Sequence, residues 1–191
     1  MSARRDPSGR RQAIVEAAAD LIVESASTDL THRRVAERAQ VPLGATTYYF
    51  ATLADLTTAA LHHLAELADE ALREMEGYLA AGGGAPAAVA RSLSDYLADP
   101  RRVQADSALY FAGAQHSELR PLALRWFDGM TRILSAHTDP EAARAVAVYA
   151  DGAMMHALVH DEPLDMAAIT RAVTALMGAA PAASTTPGRD R

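Results

Sequence analysis

Hydrophobic positions recur every three to four residues almost from end to end of this chain, the spacing that puts one buried stripe on an amphipathic helix. Ile14, Ala17, Ala18, Leu21 and Ile22 set the first stripe. Val35, Ala36 and Ala39 set a short second one, with Thr31 placed as its N-cap. Ala39-Gln40-Val41 reads as a turn, and Pro42 is expected at the first position of a third helix, where a missing amide hydrogen is no loss. Thr52-x-x-Asp55 is a capping-box pattern that starts a long helix, with apolar positions at Leu56, Ala60, Leu64, Leu67, Ala71 and Met75.

Turn and cap residues divide the remainder. Gly82-Gly83-Gly84 and Pro86 end the long helix and open another, Asp99-Pro100 breaks that one, and a further helix runs to about Gln115. Ser117 or Glu118 opens the next, with Pro121 tolerated in its first turn. Asp139-Pro140-Glu141 is a cap followed by proline at the first helical position. Asp161-Glu162-Pro163 ends that helix, and Asp165 caps the last, which ends near Gly178. The pattern predicts an all-α fold of nine helices. Met1 to Ser8 is expected to be a flexible arm, and residues 179–191, rich in Ala, Pro, Ser and Thr, a disordered tail.

Half of the 191 residues are apolar, enough for a substantial core. No apolar run approaches the roughly 18 to 20 residues of a membrane span, and the N-terminus lacks the apolar stretch of a signal peptide. The expected location is cytoplasmic. With no cysteine there is neither a disulfide framework nor thiolate chemistry.

Thr31 to Phe50 forms two short helices about a tight turn, a helix-turn-helix reading. Within it, Ala36-x-x-Ala39-x-Val41-x-x-Gly44, then Tyr48-x-Phe50 and a helix start at Thr52, resembles the DNA-binding domain of the TetR family of bacterial transcriptional repressors. The likeness covers roughly residues 10 to 60. Gln40 stands where the family usually has glycine, Thr47 where tyrosine is frequent, and Leu53 where lysine is common. The resemblance implies a three-helix DNA reader (residues 9–51, after the basic arm 1–8) followed by a helical ligand-binding and dimerisation domain (52–178). It also implies repression, homodimerisation through the last two long helices, and release by a small molecule.

Charge fits this division. The net charge of −6 splits into seven Arg against six acidic residues over 1–50, and eleven against eighteen over 51–191. Arg4, Arg5, Arg10 and Arg11 are candidate phosphate or minor-groove contacts, with Arg33, Arg34 and Arg38 beside the turn. Arg33 can also read a guanine edge, and Thr31 resembles a family phosphate contact. The second helix offers Leu43, Gly44, Ala45, Thr46, Thr47, Tyr48 and Tyr49 to DNA, with hydroxyls for phosphates or base edges and threonine methyls for thymine. Phe50 is expected in the core.

For the ligand pocket the candidates are Leu64, Leu93, Tyr96, Tyr110, Phe111, Trp126, Met130 and Met155, with Gln115 and His116 to orient a ligand. Each can equally be ordinary core. Small residues and rings at Ala145, Tyr149, Gly152, Ala153 and His156, with Ile169, Val173 and Leu176, form the candidate dimer face; an intramolecular core is the other reading. No metal or cofactor is expected: His156-x-x-x-His160 has helical ligand spacing but no third ligand at a diagnostic distance, and Gly82-Gly83-Gly84 lacks the lysine of a phosphate loop. Nor does any nucleophile motif suggest an enzyme. The rival reading is a helical small-molecule-binding protein that binds no operator.

Overall fold

The computed structural model describes residues 7–25, 30–82, 85–160 and 164–178, and among these every regular element is helical. The helices are α1 (Pro7–Ser25), α2 (His32–Arg38), α3 (Leu43–Tyr49), α4 (Leu53–Gly82), α5 (Pro86–Leu97), α6 (Pro100–Gln115), α7 (Arg120–Ala123), α8 (Arg125–Leu134), α9 (Pro140–Val159) and α10 (Met166–Gly178). A single 3-10 turn, Ser117–Leu119, precedes α7. The segment expected as one helix after Ser117 is therefore divided, with Leu124 as the joint between α7 and α8. Counting α7 and α8 as one bent helix restores nine among the described residues.

The caps act as their residue types require. Thr52 and Asp55 bond reciprocally, Thr52 N to Asp55 Oδ2 at 3.2 Å and Asp55 N to Thr52 Oγ1 at 3.1 Å. The carboxylate of Asp99 accepts from the amides of Arg101 and Arg102, that of Asp139 from Glu141 and Ala142, and that of Asp165 from Ala168. Two starts differ from expectation. α1 begins at Pro7, inside the segment to Ser8 expected as an arm, and carries Arg10 and Arg11 in its first turns, while Arg4 and Arg5 lie outside the described residues, as does the segment 179–191. Pro42 has an extended ψ of 142° and caps α3 from outside, its carbonyl accepting from Ala45 N at 2.8 Å.

Two apolar cores share α4. The first joins Ile14, Ala18 and Ile22 of α1 to Val35, Phe50 and the N-terminal part of α4, and continues into α6 through Ala105, Leu109 and Ala112. The second gathers Met75 and Leu79 from the far part of α4 with Leu93, Trp126, Met130, Val146, Met154, Ile169 and Val173. The sequence boundary at residue 52 is therefore not a packing boundary, because half of α4 and most of α6 pack with the reader. Gly113 allows the tight approach of α6 to α7, since a Cβ there would stand 2.5 Å from the Cβ of Ala123. Three ion pairs fasten the body across helices: Arg102–Glu74, Arg125–Asp69 and Arg132–Glu76.

Candidate nucleic-acid interface and cavity

The reader's exposed face is built by two seven-residue helices joined at Gln40. Gln40 takes φ of +54°, the left-handed conformation for which glycine is favoured, and this reverses the chain between α2 and α3. Thr31 Oγ1 caps α2 by accepting from Arg34 N at 3.2 Å. Arg33 is well exposed and reaches Glu37 at 2.9 Å, a surface pair one turn along the helix that DNA phosphates can replace. Arg34 and Thr31 are also exposed.

On α3 the hydroxyl set separates into two groups. Tyr48 is 82% exposed, and Leu43, Gly44 and Thr47 share the open side. Gly44 leaves open space where a Cβ would stand, so the helix is slim at that point. Thr46, by contrast, is fully buried, with its hydroxyl donating to Leu43 O at 2.8 Å within its own helix. It is not available to DNA, which corrects the expectation for that residue: α3 packs on α2 and α1, and Thr46 falls on its buried side. Tyr49 and Ala45 are half-buried against the reader core; the Tyr49 ring meets that of Tyr48 edge to face, with centroids 5.1 Å apart. Phe50 is buried as expected, and the Arg11 guanidinium lies over its ring at 5.0 Å.

A chain of ion pairs runs through this reader to the body. Arg38, at the end of α2, holds Glu24 of α1 with two hydrogen bonds of 2.7 and 2.5 Å, and these keep the Glu24 carboxyl below its usual pKa. Asp20, one turn earlier on α1, lies between Arg38 at 3.9 Å and Arg101 of α6 at 2.5 Å. One carboxylate thus links the body helix α6, the reader helix α1 and the helix-turn-helix itself. Neither Asp20 nor Arg101 stood out in the sequence, because i+81 pairs follow from topology and not from local spacing.

A cavity of about 450 Å³ opens beside this link, bounded by α1, by the middle of α4, and by the end of α5 with the start of α6. Among the ten pocket candidates, Leu64 and Tyr96 line it. Leu93, Trp126 and Met130 are instead fully packed in the second core, and Tyr110 packs half-buried against it. Phe111, Gln115, His116 and Met155 are exposed at the surface. An apolar period tells that a residue faces inward, not whether it meets a neighbour or a void. Leu67, expected as core, is 43% exposed and lines the cavity.

The floor of the cavity carries a buried acid. Asp106 is 4% exposed and accepts a hydrogen bond of 2.6 Å from the Tyr96 hydroxyl. Burial, with added repulsion from Asp151, raises its pKa to about 6 against the pull of the Tyr96 bond and of Arg102. Burial and Asp106 together push the Tyr96 phenol far above its ordinary range. The Tyr96 ring stacks on Trp126, with centroids 4.8 Å apart and planes 18° from parallel. Farther along, Tyr110 Oη and Asp151 Oδ1 are buried without a hydrogen bond of acceptable geometry, although Asp151 stands near enough to raise the Tyr110 pKa beyond what burial does.

The candidate dimer face also divides. Ala153, Ile169 and Val173 are buried in the protomer's own core, so they are corrected from interface to core. Ala145, Tyr149, His156 and Leu176 are half-buried, and Gly152 is exposed. The exposed stripe on α9 is Val148, Gly152, Met155 and Val159, spaced i, i+4, i+7 and i+11, and Met166 of α10 is also exposed. His156 and His160 stack ring on ring at 3.9 Å, and among the described residues no three metal-ligating side chains group as a site. No described helix is long and apolar enough to cross a membrane.

A short helix-turn-helix pair on a three-helix reader, carried by a long helix into an all-α body with a cavity at the seam, defines a helix-turn-helix regulator whose helical C-terminal body packs against the reader. Residues 84–179 match the family described as the tetracyclin repressor-like C-terminal domain. A solved TetR-family member from Streptomyces coelicolor is 36% identical, with a TM-score of 0.77, covering 88% of this chain and 98% of that one. The multidrug-binding protein EbrR in complex with imidazole is 35% identical at a TM-score of 0.72, over 92% and 97% of the two chains. Its complex with malachite green gives 35% and 0.73, over 88% and 98%. Comparison with curated proteins returned no match. The chain belongs to the TetR family of transcriptional regulators.

Proposed function

We propose that this protein is a repressor that binds a palindrome-like operator as a homodimer and is released by a small-molecule effector. The observation that carries the reading is the face of α3: an exposed aromatic hydroxyl at Tyr48, beside exposed Leu43, Gly44 and Thr47, with Arg33 and Arg34 projecting from the preceding helix. A solvated surface has no need of an 82% exposed tyrosine on the helix that follows two exposed arginines, whereas a groove reader uses both. Arg10 and Arg11, exposed at the start of α1, extend the basic surface toward neighbouring phosphates. Two such readers related by two-fold symmetry address half-sites about one or more DNA turns apart, roughly 34 to 36 Å each.

The dimer in this reading forms through α9 and α10. The stripe from Val148 to Val159, centred on Gly152 with no Cβ to hold a partner helix away, supports this. Release by an effector is supported by the cavity beside the reader and by the likeness to EbrR, a multidrug-binding protein.

The test is a footprint on DNA flanking the protein's own gene, at one stated salt concentration, with wild type, Tyr48→Ala and Arg33→Ala. The expected outcome is a two-fold-symmetric protected stretch whose affinity falls by about tenfold or more in each variant, the magnitude of a lost direct base or phosphate contact, while helicity is retained. Equal affinity in both variants would remove α3 and Arg33 from the interface. A folded protein that protects no DNA favours the rival, a helical binding protein without an operator.

A further inference from the structure

We propose that the cavity between α1, α4 and α6 is the effector site and that it takes a lipophilic organic cation, anchored by the Asp106 carboxylate. The proposal rests on the reading of this chain as a ligand-released regulator and names the ligand class and the route of its action.

Size and surface come first. About 450 Å³ suits a ligand of drug size. The apolar part of the lining includes Leu67, which on the outer face of α4 has no packing partner to cover it fully, and the Tyr96 ring, held flat by its stack on Trp126. Leu64 and small alanines from three helices complete an apolar surface against which an aromatic ring system can lie.

Charge selects the class. Glu16, Asp20, Glu70, Asp99 and Asp106 line the cavity, against Arg101 and Arg102. Both arginines are already engaged, Arg101 with Asp20, and Arg102 with Glu74 and Asp99. Its five carboxylates against two guanidiniums leave the lining three charges negative when all are ionised. An anion would meet repulsion there, and a neutral molecule would leave Asp106 as it stands. That carboxyl is nine-tenths buried, has one hydrogen bond, and forms no ion pair among the described residues. An ionised carboxylate so placed is stabilised only by gaining a cation or a proton. A bound organic cation supplies the missing partner without the hydration cost that a small metal ion carries.

Position supplies the switch. Asp20 both lines the cavity and receives Arg101 from the body and Arg38 from the helix-turn-helix. A cation beside Asp20 competes with Arg101 and loosens the hold of α6 on α1. The same ligand also stands between the two cores that share α4. It therefore interacts differently with the two arrangements of reader on body, which is what a shift in equilibrium requires.

The experiment uses the full chain and two hydrophobic monocations, tetraphenylphosphonium and malachite green, with uncharged triphenylphosphine oxide as the neutral counterpart. Calorimetric titration is run on wild type, Asp106→Asn and Leu67→Trp. Asparagine keeps an acceptor for the Tyr96 hydroxyl, and tryptophan at an exposed position fills the cavity without entering either core. The expected result is saturable binding of at least one cation by wild type, about tenfold or more weaker binding in Asp106→Asn, loss in Leu67→Trp, and no binding of the neutral compound. Absence of cation binding by folded wild type, or unchanged affinity in both variants, overturns the site. Operator release is measured separately with tetraphenylphosphonium, which does not intercalate. Cation binding that depends on Asp106 without any operator binding keeps the site and sinks the regulator reading. Operator protection that survives saturation of the cavity keeps the regulator and overturns the effector role.

Discussion

Asp106 shows how one residue can serve against the stability of its own fold. Its carboxyl faces Tyr96 on α5, Asp151 on α9 and, more distantly, Arg102 on α6, and burial holds its pKa at about 6. Between the unfolded value of 3.8 and that folded value the native protein keeps a proton that the unfolded chain has released. Stability from this group is therefore present at low pH and is lost as pH rises through about 6. Asp106→Asn is expected to be more stable than wild type near pH 7, by on the order of 1–3 kcal/mol, with the gain vanishing below about pH 4. Urea denaturation at the two pH values checks this. Equal stability near pH 7 would mean that the charge is already compensated inside the fold.

Residue identity alone could not sort α3. Thr46 and Tyr48 both carry hydroxyls, two positions apart, and both were expected at DNA. A seven-residue helix packed on one side buries one of them fully and leaves the other 82% exposed. The difference is about 200° of helix rotation, visible only once the packed side is known.

At the scale of elements, caps and breaks are local, and so were legible. Thr31, Thr52 with Asp55, Asp139 and Asp165 each bond amides within three residues of themselves. The turn between α2 and α3 is a local departure with a local consequence. Gln40 occupies φ of +54° where a Cβ is disfavoured. Gln40→Gly is expected to raise stability by about 0.5–1 kcal/mol without altering operator affinity, since relief of the left-handed strain exceeds glycine's entropy loss at such a position. An unchanged or lower urea midpoint would show that the Gln40 side chain contributes contacts that offset its strain.

The whole molecule adds features that depend on which helices meet. α9 has one face in the second core and another, from Val148 to Val159, open to a partner; Val159 is 74% exposed. Val148→Asp is expected to shift the protein toward monomer in sedimentation at micromolar concentration. It should weaken operator binding more than about tenfold because a single reader engages one half-site. Its circular dichroism should stay unchanged, since Val148 is outside the core. A dimer that survives this charge would place the interface elsewhere.

The sequence by itself determined the helices, most of their ends, the helix-turn-helix and the absence of cysteine chemistry, because period, caps and turns act over three or four neighbours. It led to Phe50 as a core residue and to Tyr48 as a surface hydroxyl, and the structure buries the first and exposes the second. Tertiary structure alone decided that Thr46, Ala153, Ile169 and Val173 are buried. It also decided that α4 serves two cores, that Arg101 reaches Asp20 across 81 residues, and that a cavity with an unpaired acid lies between reader and body. Those facts depend on how helices are oriented against one another, and an apolar stripe specifies that a face is buried without naming what buries it.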